Sequence, residues 1–217
     1  MARIVASSDE VARDGAGPWI AVAGLSALAL GGAMLVIKGI DRTGIEAAVL
    51  WTGRLAFGFF WPSYAGGALA VLFGSRFEPL RRRGRALGLA FAAVVAVHLS
   101  LVAWLCSIGD GPPILTFVVF GIAAAWVAGL AASSIERVSR EIGPAGWWVL
   151  RNIGMNYIAF VFAFDFLRLQ PTAAWIRIAE YLPFASLSVL GPVLKLLAWL
   201  LPLQNRIGAR PLDASFD

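Results

Sequence analysis

The chain has 217 residues, of which 59% are hydrophobic and 14% are charged, and its formal net charge is +5. Soluble domains are about half apolar and about a quarter charged, so too few polar side chains remain here to cover a water-soluble surface. The composition therefore excludes an ordinary soluble domain and predicts an integral membrane protein. The basic residues lie between apolar runs, which favours membrane topology and lipid head groups over nucleic acid as the reason for the positive charge.

Two local features of the sequence limit which classes of membrane protein remain possible. Cys106 is the only cysteine, so neither a disulfide within the chain nor a cysteine-based zinc site is expected. The first 17 residues carry both signs of charge, unlike the basic start of a cleaved signal peptide. We therefore expect the first hydrophobic segment to be retained as a membrane anchor.

Six segments are apolar enough to span a membrane, which takes about 20 mostly apolar residues. In chain order they are approximately Pro18–Ile37, Glu46–Phe73, Ala86–Ser107, Pro113–Ala132, Gly146–Leu167 and Ala179–Leu201. We expect a kink at Pro62 and irregularities at Pro183 and Pro192. The sequence thus predicts an all-α, polytopic, six-helix transmembrane domain over residues 18–201, between a polar N-terminal segment (1–17) and a polar C-terminal tail (202–217).

The distribution of Lys and Arg predicts that both termini are cytoplasmic. On this assignment the inside segments hold Arg3, Arg13, Arg76, Arg81, Arg82, Arg83, Arg85, Arg137, Arg140, Arg206 and Arg210. The outside segments hold only Lys38, Arg42, Arg168 and Arg177. The run Arg81, Arg82, Arg83 and Arg85 dominates the asymmetry, and it is interpreted either as a contact site for anionic lipid or a partner or as a simple topology anchor.

Ionisable residues within spans are costly and normally face the bundle interior or reach a surface. The predicted spans contain Arg54, His98, Arg151, Asp165 and Lys195, with the neutral Asn152 and Asn156. At 1.5 Å per residue, Arg54 and His98 both lie about 12–13 Å below the outer edge and so share a layer. His98 is either a haem or pigment ligand or a packed histidine bonded to a neighbouring helix, and Arg54 would suit an acidic cofactor substituent.

Three stretches resemble the ferric-reductase-like transmembrane domain family. They are "RALGLAFAAVVAVH" (Arg85–His98), "TGRLAF" (Thr52–Phe57) and "WWVLRNIGMNYIAFVF" (Trp147–Phe162). That family includes the haem-bearing membrane subunit of the bacterial methionine sulfoxide reductase system, and the resemblance implies b-type haem ligated by histidines of the third and fifth helices.

The chain departs from this family at the ligand positions. Arg151 and Phe164 stand where the fifth helix would carry histidines, and Val95 stands where many relatives have a second histidine in the third helix. Only His98 remains, so this chain cannot supply two imidazoles to one haem. Met155 is the one other residue considered as a partner ligand for His98.

Two functions follow as expectations. The first is a haem-less accessory or assembly subunit of a larger redox or photosynthetic complex in a bacterial inner membrane, with lipid and other membrane subunits as partners. The alternative is an electron-transfer protein with one b-type haem or pigment on His98 and Arg54 at an acidic substituent. A transporter path along Arg54, Asp165 and Lys195 is a third hypothesis. The sequence has no nucleotide-binding or activated-nucleophile motif, so no catalytic residue is assigned.

Overall fold

The structure is a computed structural model that describes residues 15–168 and 175–208, without the side chains of residues 136, 139, 175–179 and 202–208. The described residues form seven α-helices and contain no strand. The α-helices are α1 (Gly17–Lys38), α2 (Arg42–Phe73), α3 (Glu78–Arg82), α4 (Gly84–Ser107), α5 (Ile114–Ser133), α6 (Glu136–Leu167) and α7 (Trp175–Gly208). A 3-10 helix, Gly74–Phe77, links α2 to α3. The predicted all-α class is confirmed for these residues.

The turn between α1 and α2 shows how local sequence fixes a helix boundary. Asp41 is the N-cap of α2, and its Oδ1 accepts a hydrogen bond of 3.1 Å from the Gly44 backbone N–H. A Cβ atom on Gly44 would overlap the carbonyl oxygen of Gly39, so only glycine allows the chain to turn back this tightly.

A kink was predicted at Pro62, and the structure shows a break in helical geometry in α6. α2 continues through Pro62, whereas α6 is kinked at Gly143, whose φ of 69° and ψ of 168° are not helical. Pro144 follows and suits the first position of the helix that continues to Leu167. α7 also continues through Pro183 and Pro192.

Five helical stretches of the described chain are long and apolar enough to cross a membrane. They are Gly17–Lys38, Arg42–Arg82, Gly84–Ser107, Ile114–Ser133 and Glu180–Leu201. The predicted fifth span corresponds to the later part of α6 and does not belong to this group, because Arg151, Asn152 and Asn156 lower its hydropathy. The structure therefore has the elements of a multi-pass membrane protein, with five helices suited to spanning.

α2 is the central helix. Half of its most apolar window is buried, against 6% to 22% in the other four candidate spans. It packs against α1, α4 and α7, while α6 packs mainly against α5 and α7. Since α5 has few contacts with α4, the bundle leaves room between them.

The core between α2, α4, α6 and α7 is filled by aromatic rings. Phe60 lies 5.3 Å from Phe91 and 5.2 Å from Phe162 between ring centroids. Phe57 makes edge contacts with Phe162 and with Phe166 at 5.1 and 5.0 Å. Such edge-to-face pairs stabilise beyond the apolar area that they bury, and they occupy the middle of the bundle.

Candidate functional site

His98 lies against α2. Its Nδ1 is 3.0 Å from the Thr52 hydroxyl, and a Cβ atom on Gly53 would lie 3.4 Å from its Cε1. Such a distance is ordinary van der Waals contact, so the imidazole packs directly on the α2 backbone at this residue. The interpretation of His98 as a packed histidine bonded to a neighbouring helix agrees with this geometry.

The hydrogen bonds of Thr52 indicate which nitrogen of His98 carries the proton. The Thr52 hydroxyl is 2.7 Å from the Ala48 carbonyl oxygen one turn earlier. Because a hydroxyl has one proton, donation to Ala48 leaves Oγ1 to accept from a protonated Nδ1 of His98. The other nitrogen, Nε2, is then unprotonated.

Arg54 is buried among aromatic rings next to α7. Its side chain is 5% exposed, and its guanidinium carbon lies 4.8 Å from the Trp51 ring centroid, 5.0 Å from Tyr181 and 5.4 Å from Phe184. Its Nη2 is 3.6 Å from Glu180 Oε2, too long for a hydrogen bond. The buried Nε and Nη2 have no hydrogen-bond partner among the described residues.

Arg54 and His98 share a height but not a pocket. His98 contacts Thr52 and Gly53, which places it level with Arg54, as the depth estimate predicted. However, Thr52 and Arg54 are two residues apart and so project about 200° apart around α2. Arg54 faces α7, whereas Thr52 faces α4, and one cofactor on His98 would not meet Arg54 on the same side of α2.

The other positions considered as haem ligands do not converge on His98. Met155 lines a cleft together with Ser63, which is ten residues beyond Gly53 and therefore about 15 Å further along α2. His98 is not among the residues that line this cleft. Among the described contacts, none brings Met155 to the His98 imidazole, and ligation of one iron by these two residues stays a prediction.

The positions at which the resemblance implies histidines have other neighbours. The Arg151 guanidinium lies 5.2 Å from the Trp147 ring centroid, and the Phe164 ring lies 6.2 Å from that of Phe160. Phe91 and Phe162 stand 6.2 Å apart where α4 faces α6. The residues present thus do not fit a haem ligated from both α4 and α6, since phenylalanine rings fill that space.

A polar trio lies between α2, α6 and α7. Tyr64 donates a hydrogen bond of 2.8 Å to Asn156 Oδ1, and the Lys195 ammonium donates one of 3.2 Å to the same oxygen. Lys195 Nζ also lies 4.4 Å above the Tyr64 ring. Sequence reasoning identified Asn156 and Lys195 as polar residues in spans but did not pair them. On the predicted spans Asn156 lies about 15 Å and Lys195 about 9 Å from the cytoplasmic end, so residue counting gave no signal that would pair them.

The basic run of the sequence lies at the end of the bundle where α3 meets α4. Arg81 and Arg82 both pair with Glu78, at 2.7 and 3.2 Å, and Arg85 donates to the Ser134 carbonyl oxygen at 2.8 Å. These three arginines line an open cleft of about 990 Å³ between α4, α5 and α6. Arg83 instead lies 5.8 Å from the Trp19 ring centroid on α1, so the run is divided between two surfaces.

Two further observations bear on function. The described residues contain no group of three or more His, Cys, Asp or Glu side chains placed to hold a metal ion. The residues proposed for a transporter path do not line up, since Arg54 faces Glu180, Lys195 bonds Asn156, and Asp165 is exposed.

Comparison of the chain with family models, with curated proteins and with solved structures finds no match in any of the three.

Proposed function

We propose that this protein is a haem-less accessory or assembly subunit of a larger membrane redox or photosynthetic complex, built on a degenerate ferric-reductase-like scaffold. The observation that carries the proposal is the position of its one histidine. His98 packs on Gly53 and bonds Thr52 within the α2–α4 contact, where a structural role accounts for it. The phenylalanine cluster between α4 and α6 supports the same conclusion.

The proposed topology has six spans with both termini in the cytoplasm of a bacterial-type inner membrane. The part of α6 from Pro144 to Leu167 is 24 residues, or about 36 Å of helix, which exceeds a hydrocarbon core of about 30 Å. Two of its polar side chains have partners within the bundle: Asn156 bonds Tyr64 and Lys195, and the Arg151 guanidinium lies over the Trp147 ring. Such contacts make a low hydropathy compatible with a spanning helix.

The wide apolar exposure of α5 supports partner or lipid contact along the bundle side. Only 6% of its apolar window is buried, and Ile114, Leu115 and Phe117 are 78%, 66% and 54% exposed. In a membrane these side chains meet lipid tails or the helices of another subunit. An accessory subunit needs such a surface.

The experiment that tests the proposal is purification of the tagged full chain from its native membranes in a mild detergent, with absorbance spectra of the oxidised and reduced protein. We expect no Soret band from the chain and a co-purifying membrane subunit in a fixed ratio. A Soret band that remains with the isolated chain, together with the absence of a partner, would contradict this function.

The second candidate, an electron carrier with one haem or pigment on His98, is favoured by one observation. When Thr52 donates its proton to Ala48, a neutral His98 carries its proton on Nδ1 and leaves Nε2 unprotonated, which is the state of a ligating imidazole. On this alternative, His98→Ala abolishes the chromophore, and Thr52→Val shifts or weakens it. If a chromophore remains unchanged in His98→Ala, it belongs to another site or subunit.

A further inference from the structure

The cleft between α4, α5 and α6 has a basic mouth. Five arginines line it: Arg81, Arg82, Arg85, Arg140 and Arg151. None of the lining residues that the structure describes is acidic. Glu78 supplies one carboxylate to both Arg81 and Arg82, and each guanidinium has five N–H donors, so these ion pairs leave donors and positive charge at the mouth.

The mouth is also where helix ends contribute positive potential. α4 begins at Gly84, and a Cβ atom there would lie 3.9 Å from Arg151 Nη2. The guanidinium of α6 therefore reaches across to the first turn of α4, whose free N–H groups carry the positive end of the helix dipole. Two elements that are distant in sequence thus direct positive charge to one place.

The inner wall of the same cleft is apolar. Below the arginines it is formed by Leu89 and Phe91 of α4, Val127 and Leu130 of α5, and Met155 of α6. Trp147 stands at the boundary, next to Arg151, as amphipathic rings do at the head-group level of a membrane. A charged mouth above an apolar wall matches a ligand with an anionic head and a hydrocarbon tail.

The size is appropriate for such a ligand. The cleft measures about 990 Å³, at the upper end of the roughly 300–1,000 Å³ of small-molecule sites. It opens from the end of the bundle that carries the basic run, which our topology places at the cytoplasmic surface. Anionic phospholipids of that leaflet attract juxtamembrane Lys and Arg.

We propose that this cleft binds one anionic phospholipid, with its phosphate on the arginines and an acyl chain along the apolar wall. This goes beyond the accessory-subunit function and does not depend on it. The proposal also distinguishes between the two interpretations of the basic run, a topology anchor and a lipid-contact site. A topology anchor needs only positive charge, whereas a binding cleft needs particular arginines. Arg83 has the same charge as its neighbours but lies at Trp19 of α1, outside the cleft.

The test uses the delipidated full chain in nanodiscs of equal phosphatidylglycerol and phosphatidylcholine, released into native mass spectrometry. We expect the monomer to retain one phosphatidylglycerol in preference to phosphatidylcholine. The double variant Arg82→Gln/Arg151→Gln should bind it about ten-fold more weakly or worse, as expected for the loss of a charge-assisted contact. The matched control Arg83→Gln, in the same basic run, should retain it as the parent chain does.

A second measurement needs no variant. Phosphatidylglycerol should raise the thermal midpoint of the detergent-solubilised parent chain, whereas inorganic phosphate and phosphatidylcholine should not. Equal retention of phosphatidylcholine would mean ordinary boundary lipid, and equal stabilisation by phosphate would mean a small-anion site. Equal losses of bound phosphatidylglycerol in Arg83→Gln and in the double variant would mean that the lipid responds to the overall positive charge and not to the cleft. A lipid-free dimer would mean that a second copy of the chain fills the cleft. Each of these results would overturn the proposal.

Discussion

The hydroxyl of Thr52 and Nδ1 of His98 lie 3.0 Å apart and join α2 to α4 at a point where α2 carries no side chain, Gly53. A histidine in a span is costly unless its polar atoms are bonded. The Thr52 hydroxyl bonds one ring nitrogen, and the Val49 backbone also bonds the imidazole. These two contacts to α2 explain both why His98 is tolerated and why it lies against α2.

Replacing Thr52 by valine should therefore destabilise the protein. Thr52→Val keeps the shape of the side chain but removes the hydroxyl that bonds Nδ1 of His98, at a cost of about 1–3 kcal/mol. Thermal unfolding in detergent measures the loss. The control is Ser100→Ala on α4, because the Ser100 hydroxyl bonds only the Ala96 carbonyl of its own helix and should change stability by less than about 0.5 kcal/mol. Equal effects of the two variants would show that the interhelical contact contributes nothing.

Arg54 and Glu180 predict an asymmetry between two variants. Arg54→Met removes a buried guanidinium with two unbonded nitrogens and keeps an apolar stem, so the thermal midpoint should stay the same or rise. Glu180→Gln leaves the buried charge without its carboxylate and should destabilise by about 1 kcal/mol or more. A thermal midpoint that falls further in Arg54→Met than in Glu180→Gln would contradict this prediction. It would mean that the contacts of the guanidinium with the surrounding aromatic rings outweigh the cost of burying its charge.

The control for this pair lies at the exposed start of α2. Arg42 and Glu46 form a pair of 2.8 Å with side chains 62% and 49% exposed. Glu46→Gln should leave the thermal midpoint nearly unchanged, as is usual for surface ion pairs.

The contact of α5 with α6 depends on a glycine. A Cβ atom on Gly154 would lie 2.9 Å from Trp126 Cε3 and 3.1 Å from Leu130 Cδ1. Gly154→Ala should force the helices apart and cost about 1–3 kcal/mol, measured as a lower thermal midpoint. Gly129→Ala on α5 is the control, because nothing lies within 4 Å of its added Cβ and alanine favours a helix by about 1 kcal/mol. A similar midpoint for both variants would contradict close packing at Gly154.

The polar trio predicts that Asn156 matters more than its neighbour one turn earlier. Asn156→Leu removes the acceptor shared by Tyr64 and Lys195, and two bonded groups lose their partner at about 1–3 kcal/mol each. Asn152→Leu is the control, since Asn152 lines the adjacent cavity of about 330 Å³ and is not a partner in the two hydrogen bonds of the trio. If thermal unfolding shows the same change for both, the trio does not stabilise the bundle.

Sequence reasoning predicted heights along the helices better than directions around them. Residue counting placed His98 and Arg54 in one layer, and the structure agrees, because height follows from a fixed rise per residue. The direction of each side chain depends on how the helices pack, which no single segment encodes. The neighbour of Arg54, Glu180, was missed for this reason, although it lies in the first turn of the predicted sixth span.

The cleft could be predicted only in part. The basic run was visible in the sequence, and so was its likeness to a lipid-contact site. The run is divided between two surfaces, because Arg83 contacts Trp19 whereas Arg85 bonds the Ser134 carbonyl oxygen. This division depends on the short helix α3 and on the turn into α4. The participation of Arg151 requires α6 to lie beside the start of α4, which is a long-range contact.

The proposed topology gives a last prediction, on the two ends of α2. Ile40 is 76% exposed before α2, and Ser75 is exposed just after it. In a Cys106→Ser background, a membrane-impermeant maleimide should label Ile40→Cys in intact cells but label Ser75→Cys only after the membrane is permeabilised. The reason is the arginine run that follows Ser75, which favours the cytoplasmic side. Labelling of Ser75→Cys in intact cells would reverse the orientation, and labelling of both would mean that α2 does not span the membrane.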